Sequence, residues 1–228
     1  MPAAIRFLNQ DGEIRMMRKT KIKICGLKRI EDIGYVNRYL PEYAGFVFVG
    51  SKRKITDEQA EVLSSLLDTR IVPVGVFVNE PVEHIVKLAE KKVIRVVQLH
   101  GDEEENYIQK LKKELGMNRE SITIIKAVRV QNQEQILKAE KLSCDYLLLD
   151  TWQKDSYGGC GKQFDKALIP EKLSKPYFLA GGLSADNIRE NISICHPYAV
   201  DVSSAVETDG KKDEKKIREF IERVREYE

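Results

Sequence analysis

Two residues stand where an apolar run gives out and chemistry could begin. Cys25 closes "KIKIC" just before Gly26, and Asp150 closes "DYLLLD" after three consecutive leucines. In a strand, alternation puts Lys21, Lys23 and Cys25 on one face and Ile22 and Ile24 on the other. An ammonium at Lys23 would favour the thiolate of Cys25 and pull its pKa below the ordinary value of about 8.5. A carboxyl on an apolar rim, partly desolvated, would instead hold its proton near neutral pH. The bland alternatives are a small buried thiol and a helix-capping aspartate.

Other strand ends carry groups that could bind. "AGGLS" offers backbone N–H groups at Gly181 and Gly182, and "DVSSAVE" adds the hydroxyls of Ser203 and Ser204. Neither loop has a Lys or Arg, so a phosphate there would rest on backbone dipoles and hydroxyls. Arg53 in "GSKRK" has the planar fork that suits a carboxylate, although Lys52 and Lys54 beside it also fit a solvated basic loop. Gln98 and His100 in "VQLHG" end another apolar run, and Arg129 ends a further one, with its role open.

Bringing these residues together requires many strand ends on one side of the molecule. Eight β-rich runs fall at 22–25, 44–49, 72–78, 93–99, 122–128, 146–150, 177–180 and 199–202. Between and after them lie helical patterns: "RIEDIGYVNRYL", "TDEQAEVLSSLLDT", "PVEHIVKLAEK", "DEEENYIQKLKKELG", "NQEQILKAEKL", "SADNIRENI" and "KDEKKIREFIERVREYE". The stretch 152–173 is less regular and reads as a loop plus a short helix. Eight strands, each followed by a helix, predict an α/β fold: a single (βα)8 TIM barrel over residues 21–228. A doubly wound open sheet is the rival, but no GxGxxG follows the first strand. In a barrel, chemistry gathers at the carboxyl ends of the strands, where all the residues above lie.

Composition narrows the classes. The 228 residues are 42% apolar and 32% charged with a net charge of +2, an ordinary soluble composition without a nucleic-acid footprint. Cys25, Cys144, Cys160 and Cys195 form no CxxC pair, and the three histidines share no ligand spacing. Neither a disulfide framework nor a metal site is expected, and a cytoplasmic location fits best. No run approaches the length of a membrane span. Residues 1–20 read as a short extension, either disordered or upstream of a true start at Met16 or Met17. Oligomeric state is open between monomer and homodimer.

Seven motifs in order, "KICGLKRIEDI", "GFVFVGSKRKI", "VGVFVN", "VQLHGDE", "LLLDT…GGCGKQFD", "LAGGLSADNI" and "AVDVSSAVET", make the chain similar to the phosphoribosylanthranilate isomerases of tryptophan biosynthesis. The resemblance spans about residues 21–226. It implies an Amadori rearrangement of a phosphorylated aminoaldose by general acid–base catalysis without a cofactor. It implies Asp150 as the acid that protonates the furanose ring oxygen and Cys25 as the base at the carbon beside the imine. Lys23 would support Cys25, although it could instead pair with a buried carboxylate. It further implies that Arg53 meets the anthranilate carboxylate, that Gln98 and His100 line the aromatic side, and that Gly181, Gly182, Ser203 and Ser204 hold the phosphate.

The chain departs from the family pattern at Cys160 in "GGCG", Ala185, Ala205 and Lys52, which bears on loop rigidity rather than on a catalytic group. The related histidine-pathway isomerase would carry a carboxylate where this chain has Cys25. A non-catalytic phosphosugar-binding barrel would need no acid–base pair.

Overall fold

The computed structural model describes residues 6–8, 14–16, 19–116, 122–151 and 164–227. Eight parallel strands close into a barrel: β1 (Lys21–Cys25), β2 (Tyr43–Val47), β3 (Val72–Phe77), β4 (Val96–Leu99), β5 (Thr123–Val130), β6 (Tyr146–Thr151), β7 (Tyr177–Leu179) and β8 (Ala199–Val202). β8 closes on β1 with Asp201 opposite Lys23. The expected (βα)8 TIM barrel is therefore what the chain adopts.

Among the described residues, seven helices surround the strands: α1 (Ile30–Tyr39), α2 (Asp57–Ser65), α3 (Val82–Glu90), α4 (Glu105–Gly116), α5 (Gln133–Glu140), α6 (Ile188–Cys195) and α7 (Glu214–Arg225). Between β6 and β7 the described residues hold a three-residue 3-10 turn, Lys166–Leu168. Arg6–Leu8 pairs antiparallel with Ile14–Met16, a ladder too short for sequence alternation to register.

The alternation that organises each strand is visible in the packing. Ile22 and Ile24 face outward into a layer shared with the helices, beside Ile33, Val36, Phe220 and Val224. Inside the barrel, Tyr43, Val74, Val96, Ile125, Leu148 and Phe178 fill the lower half, and Cys25, Val47 and Val76 close the upper layer.

Element ends moved for identifiable reasons. β4 starts at Val96 rather than at residue 93, because Val93 N–H donates to Leu88 O and so belongs to the end of α3. α4 starts at Glu105 rather than at residue 102 because Glu103 is drawn back under its own loop. There its carboxylate accepts Lys126 Nζ (2.8 Å) and the N–H groups of Asn79 (2.7 Å) and Gly101. α2 starts where expected, with Thr56 and Gln59 capping each other reciprocally (3.2 and 2.9 Å).

Candidate active site

A cavity of about 330 Å³ opens at the carboxyl end of the barrel. Cys25 and Asp150 line it from β1 and β6, with β7 and β8 between them on the shorter way round. Gln98 and His100 line it from β4, and Arg53 from the loop after β2. Gly181, Gly182, Ser203 and Ser204 line the β7–β8 side. All nine of these side chains or backbones, proposed from strand ends alone, share one cavity. Lys23 lies one layer below, wholly buried. Arg129 pairs on the rim with Asp102 (2.9 Å). Cys160 and its GGCG loop lie outside the described residues.

The Cys25 side chain fits against β2 because its neighbour there is Gly45. A Cβ on Gly45 would stand 2.8 Å from the Cys25 sulfur, so any larger residue would displace the thiol. The expected depressed thiol is not what this environment produces. Burial pushes the Cys25 pKa above its ordinary value, and the Lys23 ammonium opposes that shift without cancelling it. Lys23 is committed elsewhere: Nζ donates to both oxygens of Asp201 at 3.0 Å. Burial works against the charged form of Lys23, but Asp201 and Cys25 outweigh it and keep the ammonium charged. Asp201 in turn is raised by its own burial. Cys25 therefore rests as a thiol above a salt bridge, and the ammonium is in place to stabilise a thiolate once one forms.

At the other wall, Asp150 is buried, and its Oδ1 accepts the backbone N–H of Thr151 at 2.8 Å. Gly181 approaches here with φ of +83°, a conformation that favours glycine; a Cβ on it would also stand 2.8 Å from Asp150 Oδ1. Gln98 and His100 pair with each other, Nε2 to Nδ1 at 2.9 Å. His100 Nε2 then sits 3.4 Å from Asp150 Oδ2, out of hydrogen-bond alignment. Among the described residues, Gln98 Oε1, His100 Nε2 and Thr151 Oγ1 are buried without a hydrogen-bond partner. Buried polar atoms are rarely left so unless something else completes them.

Arg53 is less free than a solvated loop would make it. Nε and Nη2 donate to the two oxygens of Glu207 at 2.6 and 2.8 Å, and that carboxylate is held down at about 2 against its burial. Sequence reasoning missed Asp201, Thr151, Gly45, Glu207 and Lys212. Asp201 was readable: it shares the inward face of β8 with Ala199 and is the one charge in an apolar strand. Glu207 and Lys212 sit in "ETDGKKDE", where nothing separates a buried charge from a solvated one.

The family model described as N-(5'phosphoribosyl)anthranilate (PRA) isomerase matches residues 22–223. The chain belongs to that family. A protein of Lachnoclostridium phytofermentans named N-(5'-phosphoribosyl)anthranilate isomerase is 52% identical over 213 residues, covering 88% of this chain and 95% of the relative. Among solved structures, the phosphoribosyl anthranilate isomerase of Thermotoga maritima superposes with a TM-score of 0.78 at 36% identity, covering 91% of this chain and 99% of the other. Another phosphoribosyl anthranilate isomerase, solved in complex with reduced 1-(o-carboxyphenylamino)-1-deoxyribulose 5-phosphate, superposes with a TM-score of 0.72 at 33% identity over 91% and 99% of the two chains. Family membership thus agrees with the motif resemblance across the whole barrel. Among the described residues, no helix is long and apolar enough to cross a membrane.

Proposed function

We infer that the protein catalyses the Amadori rearrangement of N-(5-phosphoribosyl)anthranilate to 1-(2-carboxyphenylamino)-1-deoxyribulose 5-phosphate in tryptophan biosynthesis. The observation that carries this reading is the pairing of one carboxyl and one thiol on opposite walls of a single cavity. Its other walls include two small-residue loops and a guanidinium. The reaction needs two proton movements at different atoms, and the two walls supply them.

Asp150 delivers a proton to the furanose ring oxygen as the C1′–O bond breaks, leaving an iminium at C1′. That iminium draws electrons from C2′, so a sulfur base suffices to remove the C2′ proton and no cofactor is called on. Cys25 takes that proton as the thiolate, and the enolamine that results tautomerises to the ketone. The thiol must first ionise, and the Lys23 ammonium beneath it favours the anion.

Gly181, Gly182, Ser203 and Ser204 would receive the 5′-phosphate. Loops after the last two strands are the recurrent phosphate site of this fold. Arg53 would receive the anthranilate carboxylate, and Gln98 and His100, beside Asp150, would line the side that takes the aromatic ring. The 21–228 barrel carries all of these groups, and the 1–20 extension carries none.

The test is the loss of anthranilate fluorescence when fresh N-(5-phosphoribosyl)anthranilate is mixed with the protein. Conversion faster than spontaneous decay is expected. A rate equal to the spontaneous one would overturn the isomerase reading and leave a barrel that only binds phosphosugars.

A further inference from the structure

Beside Cys25 lies a run of buried charge that the proton transfers do not use. Glu207 follows β8 across a 3-10 turn, Ser204–Val206, and starts a short antiparallel ladder in which Glu207 faces Lys212. Lys212 is only 4% exposed. Its Nζ donates to Glu207 Oε1 (2.9 Å) and Ser203 O (2.8 Å), with a longer contact to Ser203 Oγ (3.4 Å). Ser203 Oγ donates to the backbone oxygen of Cys25 at 2.9 Å. Arg29 Nη2 donates to Lys212 O (2.9 Å) and ties the ladder to the start of α1. With the Arg53–Glu207 fork, these bonds run unbroken from Arg53 through Glu207 and Lys212 to Ser203.

Burying three charges is a poor way to gain stability, since apolar residues of the same volume would serve as well. The geometry is more informative. A guanidinium has five N–H donors, and Glu207 takes the Nε/Nη2 edge. The opposite edge stays available to a second carboxylate. Arg53 lines the cavity, with its stem laid across Gly26. Ser203, at the far end of the same run, lines the phosphate side. Two cations on one carboxylate leave the run one positive charge in excess, which an incoming carboxylate would neutralise.

We propose that Glu207 and Lys212 are positioning residues. They strap Arg53 to the Ser203 loop at a fixed span, so that the site selects aryl amines whose carboxylate and phosphate match that span. This rests on the functional reading above, in which Arg53 takes the carboxylate and Ser203 the phosphate. Pre-setting the span removes the ordering that two separate grips would each require on binding.

The experiment compares N-(5-phosphoribosyl)anthranilate with N-(5-phosphoribosyl)aniline, which lacks the carboxylate, following ketose formation. The unmodified protein should prefer the carboxylated substrate in kcat/KM. In Lys212→Met that preference should fall about tenfold, chiefly through KM, because a displaced grip costs binding before it costs chemistry. Glu207→Gln, a milder change, should show the same fall in smaller measure and keeps the test open should Lys212→Met fail to fold. Arg53→Met should lose the preference too, and adding Lys212→Met to it should lower it no further.

Equal losses on both substrates in Lys212→Met and Glu207→Gln would mean general damage and overturn the strap, as would an unchanged preference. If Arg53→Met abolishes the preference while Lys212→Met and Glu207→Gln both keep it, the strap fails while the functional reading stands. No turnover of either substrate by the unmodified protein overturns the functional reading and the strap with it.

Discussion

The two ends of the barrel are built from the same strands and treat polar groups in opposite ways. β1 alone shows the contrast, with Lys21 at the floor and Cys25 at the mouth. At the floor, Lys21 Nζ donates to Tyr198 OH at 2.7 Å, and Tyr198 OH pairs with Tyr43 OH at 3.0 Å. The rings of Tyr43, Tyr146 and Tyr198 pack around Phe178 at 5.3 to 5.7 Å between centroids, most of them edge to face. The floor has its own cavity of about 220 Å³, walled largely by apolar and aromatic side chains. Among the described residues, the mouth leaves Gln98 Oε1, His100 Nε2 and Thr151 Oγ1 buried without a hydrogen-bond partner and sets Cys25 against Gly45. A floor that satisfies its polar groups internally contributes stability. A mouth that leaves them open gives up some stability for the sake of a ligand.

That contrast can be broken by substitution at each end. The largest effect belongs to the mouth: Cys25→Ala or Asp150→Asn should lower turnover by about a thousandfold, the range of a lost general base or acid. The fluorescence assay reads it, and near-normal turnover in Cys25→Ala would remove the base assignment. The electrostatics of Cys25 give the next effect. Its folded pKa is raised above the ordinary thiol value by burial, and only the thiolate is reactive. Alkylation of Cys25 and kcat/KM should therefore both climb as pH rises through neutral and still be climbing at pH 9. A plateau reached near pH 7 would instead favour the depressed thiol that the strand pattern suggests.

The floor should respond in stability alone. Tyr198→Phe removes the acceptor for Lys21 and should cost about 1–2 kcal/mol in denaturant unfolding while leaving kcat/KM within about twofold. A large loss of activity there would mean that the ends are coupled. The smallest effect is expected at Thr151. Thr151→Val removes an unpartnered buried hydroxyl and should raise stability by about 1 kcal/mol, with a modest fall in kcat/KM. Thermal melting and initial rates on the same preparation distinguish the two. A stability loss would show that the hydroxyl has a partner in the folded protein.

Legibility in the sequence followed the same division. Strand ends were readable because each apolar run stops at a small or ionisable residue, and the barrel turns those stops into one surface. The helix start at Thr56 was readable from its capping hydroxyl, and the one at Pro81 from the fixed φ of proline. The start of α4 was not, because the acidic run at 102–105 looks like a first turn until Lys126, far along the chain, pulls Glu103 inward. The state of Cys25 was misread for a related reason. Lys23 was correctly placed on the same face, but its charge is shared with Asp201 on β8, and burial of the thiol outweighs what remains.

The eight-strand barrel, the family and the set of residues at the mouth could be read along the chain, because periodicity and strand-end chemistry are local. Which charges pair with one another became visible in the folded barrel. Lys23 with Asp201, Arg53 with Glu207 and Lys126 with Glu103 each pair residues more than twenty positions apart. Partnership and desolvation are properties of the closed barrel, and no window of neighbouring residues contains them.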